Sequence, residues 1–557
     1  MNYAALSIYK KEGCKLIHGK DIFDVIHDNN FLADWRHLYE SCKWATIFQS
    51  PDFIGEWYTL YHNKYIPILI YQYTANELTG LFALTKKNKS DGIRGAGWND
   101  AHYQTWIATE NTKILFAKDA LITLQSFFPN DTIQLFHLPK NTPIDWINED
   151  PTIKQRYKLK TVECPYIQLT SDEISRLLKK KVFKENRNRL KKMGVFELEK
   201  IHCPERFQAV APEIASWYDL RQGALYGRLP FKRDTLKMQL FMKLFKMNYL
   251  LLTLIKLDNN PIAFIIATKG REGWVHGLGI NAYSPKYARY SLGFLNFILF
   301  SQYLFEENFK FFDLSTGEFS YKDRLSTANE TVYSLSIPPL NRARYWLIIN
   351  EVFGIIQQYS LENLKKTGIN VRKLSLQLKK KKQSYLNKFG LVKKIGFFSI
   401  FQYTIFLSLN KDRLFYVPSS YQPSQEDLIL IKEQAIEDLL DFEPRTFLKT
   451  HSEFLHQCFK NIENNAISYT LALKGTLLVC LWLSSNKELP PKALEKIGDK
   501  EEFYILHNLY THSDGMNLLS GFLSTIINNL KKKADSKKIY VKVPGYVQRY
   551  CPIIEVK

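Results

Sequence analysis

The sequence predicts a mixed α/β protein built from repeated units, each with a mostly antiparallel mixed sheet flanked by helices. Its 557 residues correspond to about three to five domains of typical size. With 45% hydrophobic and 24% charged residues, its composition is that of a folded globular protein. One order of elements (strand, turn, strand, strand, loop, helix, strand) occurs in residues 249–314 and again in residues 467–543. This repeat is longer than a solenoid repeat and therefore indicates duplicated globular units.

Residues 1–165 form the first predicted unit. Runs rich in β-branched and aromatic residues indicate its strands. Ser50 can cap a helix, and Pro51 suits the first helical position. In chain order we predict a helix at 51–61, strands at 66–73 and 78–85, a polar and aromatic loop at 95–103, and a strand at 132–137.

Residues 166–340 form the central predicted unit. It opens with a basic helix at 175–192, and Pro212 is expected to break or kink the helical stretch that follows. Residues 258–261 (DNNP) give a strong turn signal between two strands. In chain order we predict strands at 195–201, 249–257, 262–269 and 274–280, a helix at 291–307, and a strand at 311–314.

The rest of the chain is predicted to be a Lys-rich helical connector at 341–394 and a more degenerate unit at 395–557. The run at 378–382 (LKKKK) is typical of a solvated helix face. The last unit repeats the order of the central one, with Gly521 in the place of Gly293. In chain order we predict strands at 467–473, 476–482 and 503–510, a helix at 518–533, and a strand at 539–543.

Charge and cysteine content narrow the classes of partner. The formal net charge of +21 favours anionic partners, such as CoA phosphates, nucleotide-sugar diphosphates, tRNA or an anionic lipid leaflet, although surface solvation explains it equally well. The seven cysteines are scattered without a C-x-x-C pair, which argues against a disulfide framework and against a cysteine-rich zinc site. No metal is expected.

The chain begins without an apolar signal core and has no run of about 20 apolar residues, so we expect a cytoplasmic protein without a transmembrane segment.

The start of the predicted helix at 291–307 is a candidate phosphate site. The first turn of a helix has free N–H groups and a partial positive charge, which together bind phosphate. Arg289 adds charge, Ser291 can cap the helix, and Gly293 lets a ligand approach the backbone. The alternative is that Ser291 only caps and Gly293 only packs. The sequence lacks the motif G-x-x-x-x-G-K-[ST], which argues against a P-loop that hydrolyses a nucleotide.

Three residues that follow the predicted helix at 291–307 are candidate catalytic groups. Asp313 ends an apolar strand, where it can act as a general base if burial raises its pKa, or can cap the following turn instead. Tyr321 can protonate a departing thiolate and Lys322 can hold an anionic substrate, unless both belong to a solvated loop.

Two further groups are candidates for substrate binding. Tyr218 and Arg221 lie close together on a predicted helix. Arg221 can bind a carboxylate or a phosphate; the alternative is an ordinary surface arginine. Asp100, His102 and Tyr103 form a polar cluster suited to acid–base work or to holding a sugar, although loop solvation is the simpler explanation.

Several of these stretches resemble the GNAT-type domain of CelD/BcsL and FemAB-like acyltransferases. The resemblance covers about residues 40–340 and includes a Phe-Asp-x-x-x-Gly … Tyr-Lys signature at the end of the domain. The acetyl-CoA signature Gln/Arg-x-x-Gly-x-Gly/Ala is represented only by a degraded version, residues 289–293. The matching stretches are 48–51, 217–222, 260–263, 283–293, 312–317 and 321–322.

The resemblance implies an enzyme that moves an acyl group, from acyl-CoA or acetyl-CoA, to an amine or hydroxyl of a sugar or cell-envelope polysaccharide precursor. Two alternatives stay open: Fem-like transfer from aminoacyl-tRNA, which the net charge of +21 suits, and a non-catalytic binding or scaffold protein among envelope-synthesis proteins. We expect the productive site in the central unit, near Ser291, Asp313 and Lys322. The last unit has residues 543–545 where the aspartate signature stood, so we expect it to be a structural or binding module.

Overall fold

The computed structural model describes most of the chain up to residue 339 and parts of the remainder. The described residues are 13–87, 92–317, 320–339, 385, 388–390, 392–393, 395–409, 412–418, 420, 429–445, 449–486, 502–533, 537–549 and 554–555. The chain divides into two compact units. Unit 1 comprises Met1–Gln208, Leu236–Asn281 and Phe294–Ile369, and unit 2 comprises Ala209–Thr235, Ala282–Gly293 and Asn370–Lys557.

Unit 1 is built on one mixed sheet, which has thirteen strands in the described part of the chain. Its strands are β1 (Gly13–His18), β2 (Tyr65–Thr74), β3 (Glu77–Lys87), β4 (Ile93–Gly95), β5 (Ile107–Ala108), β6 (Ile133–Leu138), β7 (Lys158–Gln168), β8 (Phe196–Ile201), β9 (Leu250–Leu257), β10 (Asn260–Lys269), β11 (Trp274–Tyr283), β12 (Phe311–Asp313) and β13 (Ala328–Ile337). The spatial order is β1-β2-β3-β4-β6-β13-β7-β12-β11-β10-β9-β8, with β5 paired to β3. Strands β4 and β6 are parallel, as are β11 and β12, and the other pairings recorded for this sheet are antiparallel.

The helices that start in the part of the chain before residue 326 are α1 (Ile22–Ile26), α2 (Asn29–Ser41), α3 (Pro51–Tyr61), α4 (Lys113–Phe127), α5 (Trp146–Glu149), α6 (Pro151–Arg156), α7 (Ser171–Leu178), α8 (Lys181–Lys191), α9 (Pro204–Tyr226), α10 (Thr235–Lys246), α11 (Leu292–Glu306) and α12 (Ser320–Leu325). Helix α4 connects the parallel strands β4 and β6, and α11 connects β11 and β12. The two halves of the sheet therefore repeat one order of elements, and they meet where β13 pairs with both β6 and β7.

Unit 2 contains a third copy of this order within the described residues. Its sheet has the order β15-β16-β17-β18-β19-β14-β20, with β18 parallel to β19. Leu506, Phe522 and Ile526 are fully buried in its core. The elements are α13 (Phe397–Leu409), β14 (Asp412–Tyr416), β15 (Lys432–Glu433), α14 (Ile436–Leu439), α15 (His451–Glu463), β16 (Ile467–Leu473), β17 (Thr476–Ser485), β18 (Phe503–Thr511), α16 (Leu519–Lys533), β19 (Lys538–Pro544) and β20 (Ile554–Glu555).

The fold class predicted from the sequence is confirmed: large mixed sheets are flanked by helices in repeated units. Local chemistry explains the three predicted hairpins. Their two-residue loops are Ala75-Asn76, Asp258-Asn259 and Lys474-Gly475, each with positive φ at both positions. That geometry is the type I′ turn, whose twist matches paired strands. The predicted start of α3 is also confirmed, because the Ser50 side chain accepts a hydrogen bond from the Phe53 N–H and Pro51 is the first helical residue.

Two helix predictions need correction. The stretch expected to break or kink at Pro212 is one helix, α9, without a break. Phe207 and Ile214 are buried on either side of the proline, and their burial acts against the roughly 3 kcal/mol cost of an internal proline. The single basic helix expected at 175–192 is two helices, α7 and α8. Leu177 and Phe183 are both buried, yet six residues apart they would point to different sides of one continuous helix. A break between them lets both be buried.

The predicted connector at 341–394 lies almost entirely outside the described residues, as does the lysine run at 378–382. The predicted boundary at 165/166 falls inside β7, and the domain boundaries stay a prediction. In the part of the chain that the structure describes, no helix is both long and apolar enough to cross a membrane.

Candidate active site

Asp313 lies in unit 1 at the point where the pairing of two parallel strands ends. It is the last residue of β12, opposite His276 of β11 on one side and Tyr166 of β7 on the other. Strand β12 ends here, whereas β11 continues to Tyr283. A Cβ atom added to Gly277 would lie 2.8 Å from the Asp313 carbonyl oxygen. Glycine therefore permits a close backbone approach at the end of β12.

Four donors surround the carboxylate of Asp313, which is only 1% exposed. Oδ2 accepts a hydrogen bond from the Tyr103 hydroxyl at 2.7 Å and is 3.1 Å from His276 Nδ1. Oδ1 accepts from Cys164 Sγ at 3.1 Å and from the Ser315 backbone N–H at 2.6 Å. We call these five residues the Asp313 cluster. Removing one partner of a buried charged group costs about 3–5 kcal/mol, so the set is mutually dependent.

The Asp313 cluster holds the carboxyl group in its ionised form. Burial acts to raise the pKa of Asp313, but the hydrogen bond and charge of His276, together with the Tyr103 and Cys164 donors, outweigh it and hold the pKa at about 2. Burial and the Asp313 charge raise the pKa of Tyr103 well above its ordinary value, so its hydroxyl stays a donor. The general-base role predicted for Asp313 required a raised pKa, and the pKa is shifted in the opposite direction.

Lys322 on α12 fixes the loop that follows β12. Its side chain is buried, and Nζ donates to the backbone oxygens of Ser315 and Thr316, both at 2.7 Å. Burial lowers the pKa of Lys322 to about 8, although the Asp313 charge opposes the shift. The ammonium group therefore orders the loop backbone directly beside Asp313.

An outer layer of three partly exposed residues, His102, His137 and Thr316, covers the Asp313 cluster. His102 Nδ1 is 3.4 Å from the Ser315 hydroxyl, whose own hydrogen is donated to the Gly277 carbonyl. The neutral His102 ring therefore donates from Nδ1 and carries its lone pair on Nε2. His137 Nδ1 lies 2.9 Å from the His102 carbonyl, and its Nε2 lies 3.0 Å from the Thr316 hydroxyl.

Both imidazoles of the outer layer are neutral near physiological pH. Burial lowers the pKa of His102 to about 4, with the Asp313 charge opposing this. Burial also lowers the pKa of His137, against its hydrogen bond to the His102 backbone. A neutral imidazole can accept a proton, so the arrangement places two neutral imidazoles in the partly exposed outer layer and a fixed anion beneath them.

The structure brings together four of the predicted site residues, namely Asp313, Lys322, His102 and Tyr103. Two others have different neighbours. Tyr321 stacks on Phe297 with ring centroids 5.3 Å apart, and Asp100 accepts hydrogen bonds from Trp57 Nε1 and Lys237 Nζ.

The remaining predicted residues belong to unit 2. The Tyr218 ring meets Phe231 edge-on, and the Arg221 guanidinium lies 5.4 Å from the centre of the Tyr283 ring. Arg289 and Ser291 are exposed. Ser291 has a left-handed φ of 53°, whereas N-cap residues are typically extended.

Sequence reasoning missed five of the residues that form this arrangement. His276 had a signal, because a histidine inside an otherwise apolar strand needs a buried partner. His137 is the next-to-last residue of β6 and has a positive φ, which is uncommon for a residue other than glycine. Ser315 and Thr316 lie at the variable positions of the Phe-Asp-x-x-x-Gly signature, and Cys164 carried no signal in the sequence.

Residues 179–323 match the family model described as acetyltransferase (GNAT) domain. The match includes Asp313, Lys322 and His276 of the site, while His102 and Tyr103 precede it. The chain matches none of the curated proteins with which it was compared. Among the described residues, no group of three His, Cys, Asp or Glu side chains is arranged to hold a metal ion.

Several solved structures are distantly similar. FemX is 9% identical and covers 57% of this chain and 98% of its own, with a TM-score of 0.40. The C-terminal domain of a putative lysylphosphatidylglycerol synthetase from Agrobacterium fabrum is 9% identical and covers 57% of this chain and 94% of its own, with a TM-score of 0.38. A tandem GNAT protein from the clavulanic acid biosynthesis pathway is 9% identical and covers 58% and 98%, with a TM-score of 0.35.

Proposed function

We propose that the chain is an acyltransferase that moves an acyl group from an acyl-CoA to an amine or hydroxyl of a sugar or cell-envelope precursor. The observation that carries this proposal is the Asp313 cluster. Its central residue, Asp313, lies where the pairing of two parallel strands ends, within the segment that matches an acetyltransferase domain, as do His276 and Ser315. A polar outer layer that solvent can reach lies above it.

The residues divide the work as follows. His102 accepts the proton of the attacking amine or hydroxyl through Nε2, since its Nδ1 faces the Ser315 hydroxyl. Asp313 stays ionised and fixes the groups around it, and Lys322 orders the 315–316 backbone. Fixed dipoles and oriented donors of this kind stabilise charge that develops during acyl transfer.

The donor side of the proposal rests on Arg289, Ser291 and Gly293. A thioester supplies the activated acyl group when acyl-CoA is bound. Arg289 and Ser291 are exposed and Gly293 is partly exposed, so a phosphate can reach the residues at the start of α11. Acetyl-CoA is one member of this donor class.

Aminoacyl-tRNA is the second candidate donor. Helix α8 presents exposed Lys181, Lys184, Arg189 and Lys191, and the chain has a net charge of +21. Such a surface suits a nucleic-acid backbone, although phosphate contacts of this kind give affinity without specificity.

Incubation of the full chain with single donors separates these candidates. We expect acyl-CoAs to raise the melting temperature and to release free thiol in the presence of amino-sugar acceptors. Asp313→Asn and Lys322→Ala should each lower turnover by about ten-fold or more. Asp323→Asn is the matched control, because Asp323 is exposed on the same helix as Lys322.

Other results of the same experiment count against the proposal. Stabilisation by charged tRNA alone, with transfer from it, would assign the Fem-like reaction. No stabilisation and no transfer with any donor would favour a scaffold. Full turnover in both variants would show that Asp313 does not belong to the active site.

A further inference from the structure

Helix α13 (Phe397–Leu409) is apolar on two sides, and among the described residues only one side is buried against the rest of unit 2. Ile400 is fully buried in unit 2. The Tyr403 hydroxyl donates to the Thr511 carbonyl at 3.0 Å. These contacts fix the rotation of the helix about its axis, so they determine which side chains face solvent.

The opposite side exposes large apolar side chains. Phe398 is 70%, Phe401 47% and Ile405 41% exposed. Their spacing of three and four residues places them on one side of the helix. Other exposed large apolar side chains in this region are Tyr385, Phe389, Phe397 and Phe406. A soluble surface rarely presents so many together, so this face indicates an interaction site.

The positive charge of the sequence on either side of the helix favours an anionic partner. No Asp or Glu occurs between Glu362 and Asp412, whereas Lys and Arg recur, among them Lys388 and Lys393. A second copy of this chain, itself at +21, would bring like charges together. An anionic surface is complementary to this segment.

We propose that the exposed face of α13 docks on an anionic lipid bilayer. With 13 residues the helix is about 20 Å long, shorter than the roughly 30 Å hydrocarbon core, so it lies in the plane of the interface. Phe398, Phe401 and Ile405 enter the boundary between headgroups and acyl chains, and neighbouring lysines contact lipid phosphates. This proposal stands independently of the acyl-transfer reaction.

Co-sedimentation of the full chain with vesicles tests it. We expect binding to vesicles of phosphatidylcholine mixed with phosphatidylglycerol, weaker binding at high salt, and little binding to phosphatidylcholine alone. The triple variant Phe398→Ser, Phe401→Ser, Ile405→Ser should bind about ten-fold or more weakly. Its matched control is Leu115→Ser, Ile122→Ser, Phe127→Ser, which removes three exposed apolar side chains of α4 and should bind like the parent chain.

Because an exposed face is changed, circular dichroism and the melting temperature should match the parent chain. A second variant, Lys388→Glu with Lys393→Glu, should weaken binding to anionic vesicles only. The proposal is overturned if the parent chain binds no vesicles, if it binds neutral and anionic vesicles equally, or if the α4 variant loses binding as much as the α13 variant. Self-association that is lost in the α13 variant without any lipid binding would assign this face to a second copy.

Discussion

At the scale of single residues, the site places a fixed negative charge beneath a neutral imidazole. Asp313 is 1% exposed, has four donors and a pKa held at about 2, which makes it a poor proton acceptor at neutral pH. His102 is neutral and reachable by solvent. The proposed reaction therefore assigns the general base to the outer layer, and Asp313 to positioning and charge.

Lys322 gives the clearest pH dependence. Burial lowers its pKa to about 8, so its ammonium group loses charge above that pH and its bonds to Ser315 and Thr316 weaken. We expect turnover to fall above about pH 8. A profile of turnover against pH, measured with the parent chain and with Lys322→Arg, checks this. Arginine keeps its charge throughout the range, so the variant should lack the alkaline decline even if its rate is lower.

The lowered pKa of Lys322 also makes the free energy of unfolding depend on pH, and this free energy rises where turnover falls. Between about 8 and the ordinary value of 10.5, the unfolded chain binds the Lys322 proton more tightly than the folded chain. The contribution of Lys322 to stability therefore rises with pH across this window. Relative to Lys322→Met, the parent chain should gain unfolding free energy as its turnover falls. A turnover profile that stays flat above about pH 8 would contradict the assigned role.

The sequence predicted the members of the site more readily than their arrangement. Asp313 and Lys322 were found as one group and His102 with Tyr103 as another, because each group is local. The bond between Tyr103 and Asp313 joins residues 210 positions apart, and no periodicity encodes such a pairing. Arg289 and Ser291, predicted to share the site, belong to unit 2 by contact.

At the scale of elements, the sequence predicted the hairpins, which depend on neighbouring residues. It did not predict the strand order of the sheet, which depends on residues far apart in the chain. Each hairpin was predictable because its two-residue loop restricts the backbone directly. The insertion of β13 between β6 and β7 depends on strands far apart in sequence. It joins the first two copies of the repeat into one sheet, which local patterns do not reveal.

Arg271 holds the end of α2 from a different part of the chain. Its guanidinium donates to the carbonyl oxygens of Tyr39, Glu40 and Cys42 at 2.9, 2.6 and 2.5 Å, which are among the carbonyls that a helix end leaves without partners. We expect Arg271→Ala to lower the free energy of unfolding by about 1–2 kcal/mol. Chemical denaturation gives the magnitude, and hydrogen exchange should show faster opening at the end of α2.

Arg36→Ala is the matched control for this prediction. Arg36 pairs with Asp52 at 3.2 Å, and its side chain is 50% exposed. Exposed pairs contribute about 0–1 kcal/mol, so the control should change stability less. If both variants are equally stable, the carbonyl contacts of Arg271 contribute nothing specific.

At the scale of the whole molecule, one order of elements occurs three times in the described residues, with different outcomes. The first copy supplies His102 and Tyr103 and the second supplies Asp313 and Lys322, all within unit 1. The third copy lies in unit 2, where the sequence predicts residues 543–545 in the place of the aspartate signature. It has the hairpin and the parallel strand pair of the other copies, so these elements form there without that aspartate.

The last prediction follows from this division. Val543 is fully buried in the core of unit 2, and Val543→Ala should lower the stability of that unit by about 1–3 kcal/mol through lost burial and a cavity. Turnover measured well below the melting temperature should be unchanged, because the Asp313 cluster draws its residues from unit 1. Calorimetry and a turnover assay on the same samples, with Asp313→Asn as the comparison, check both parts. If folded Val543→Ala lost activity while Asp313→Asn kept it, catalysis would belong to the third copy.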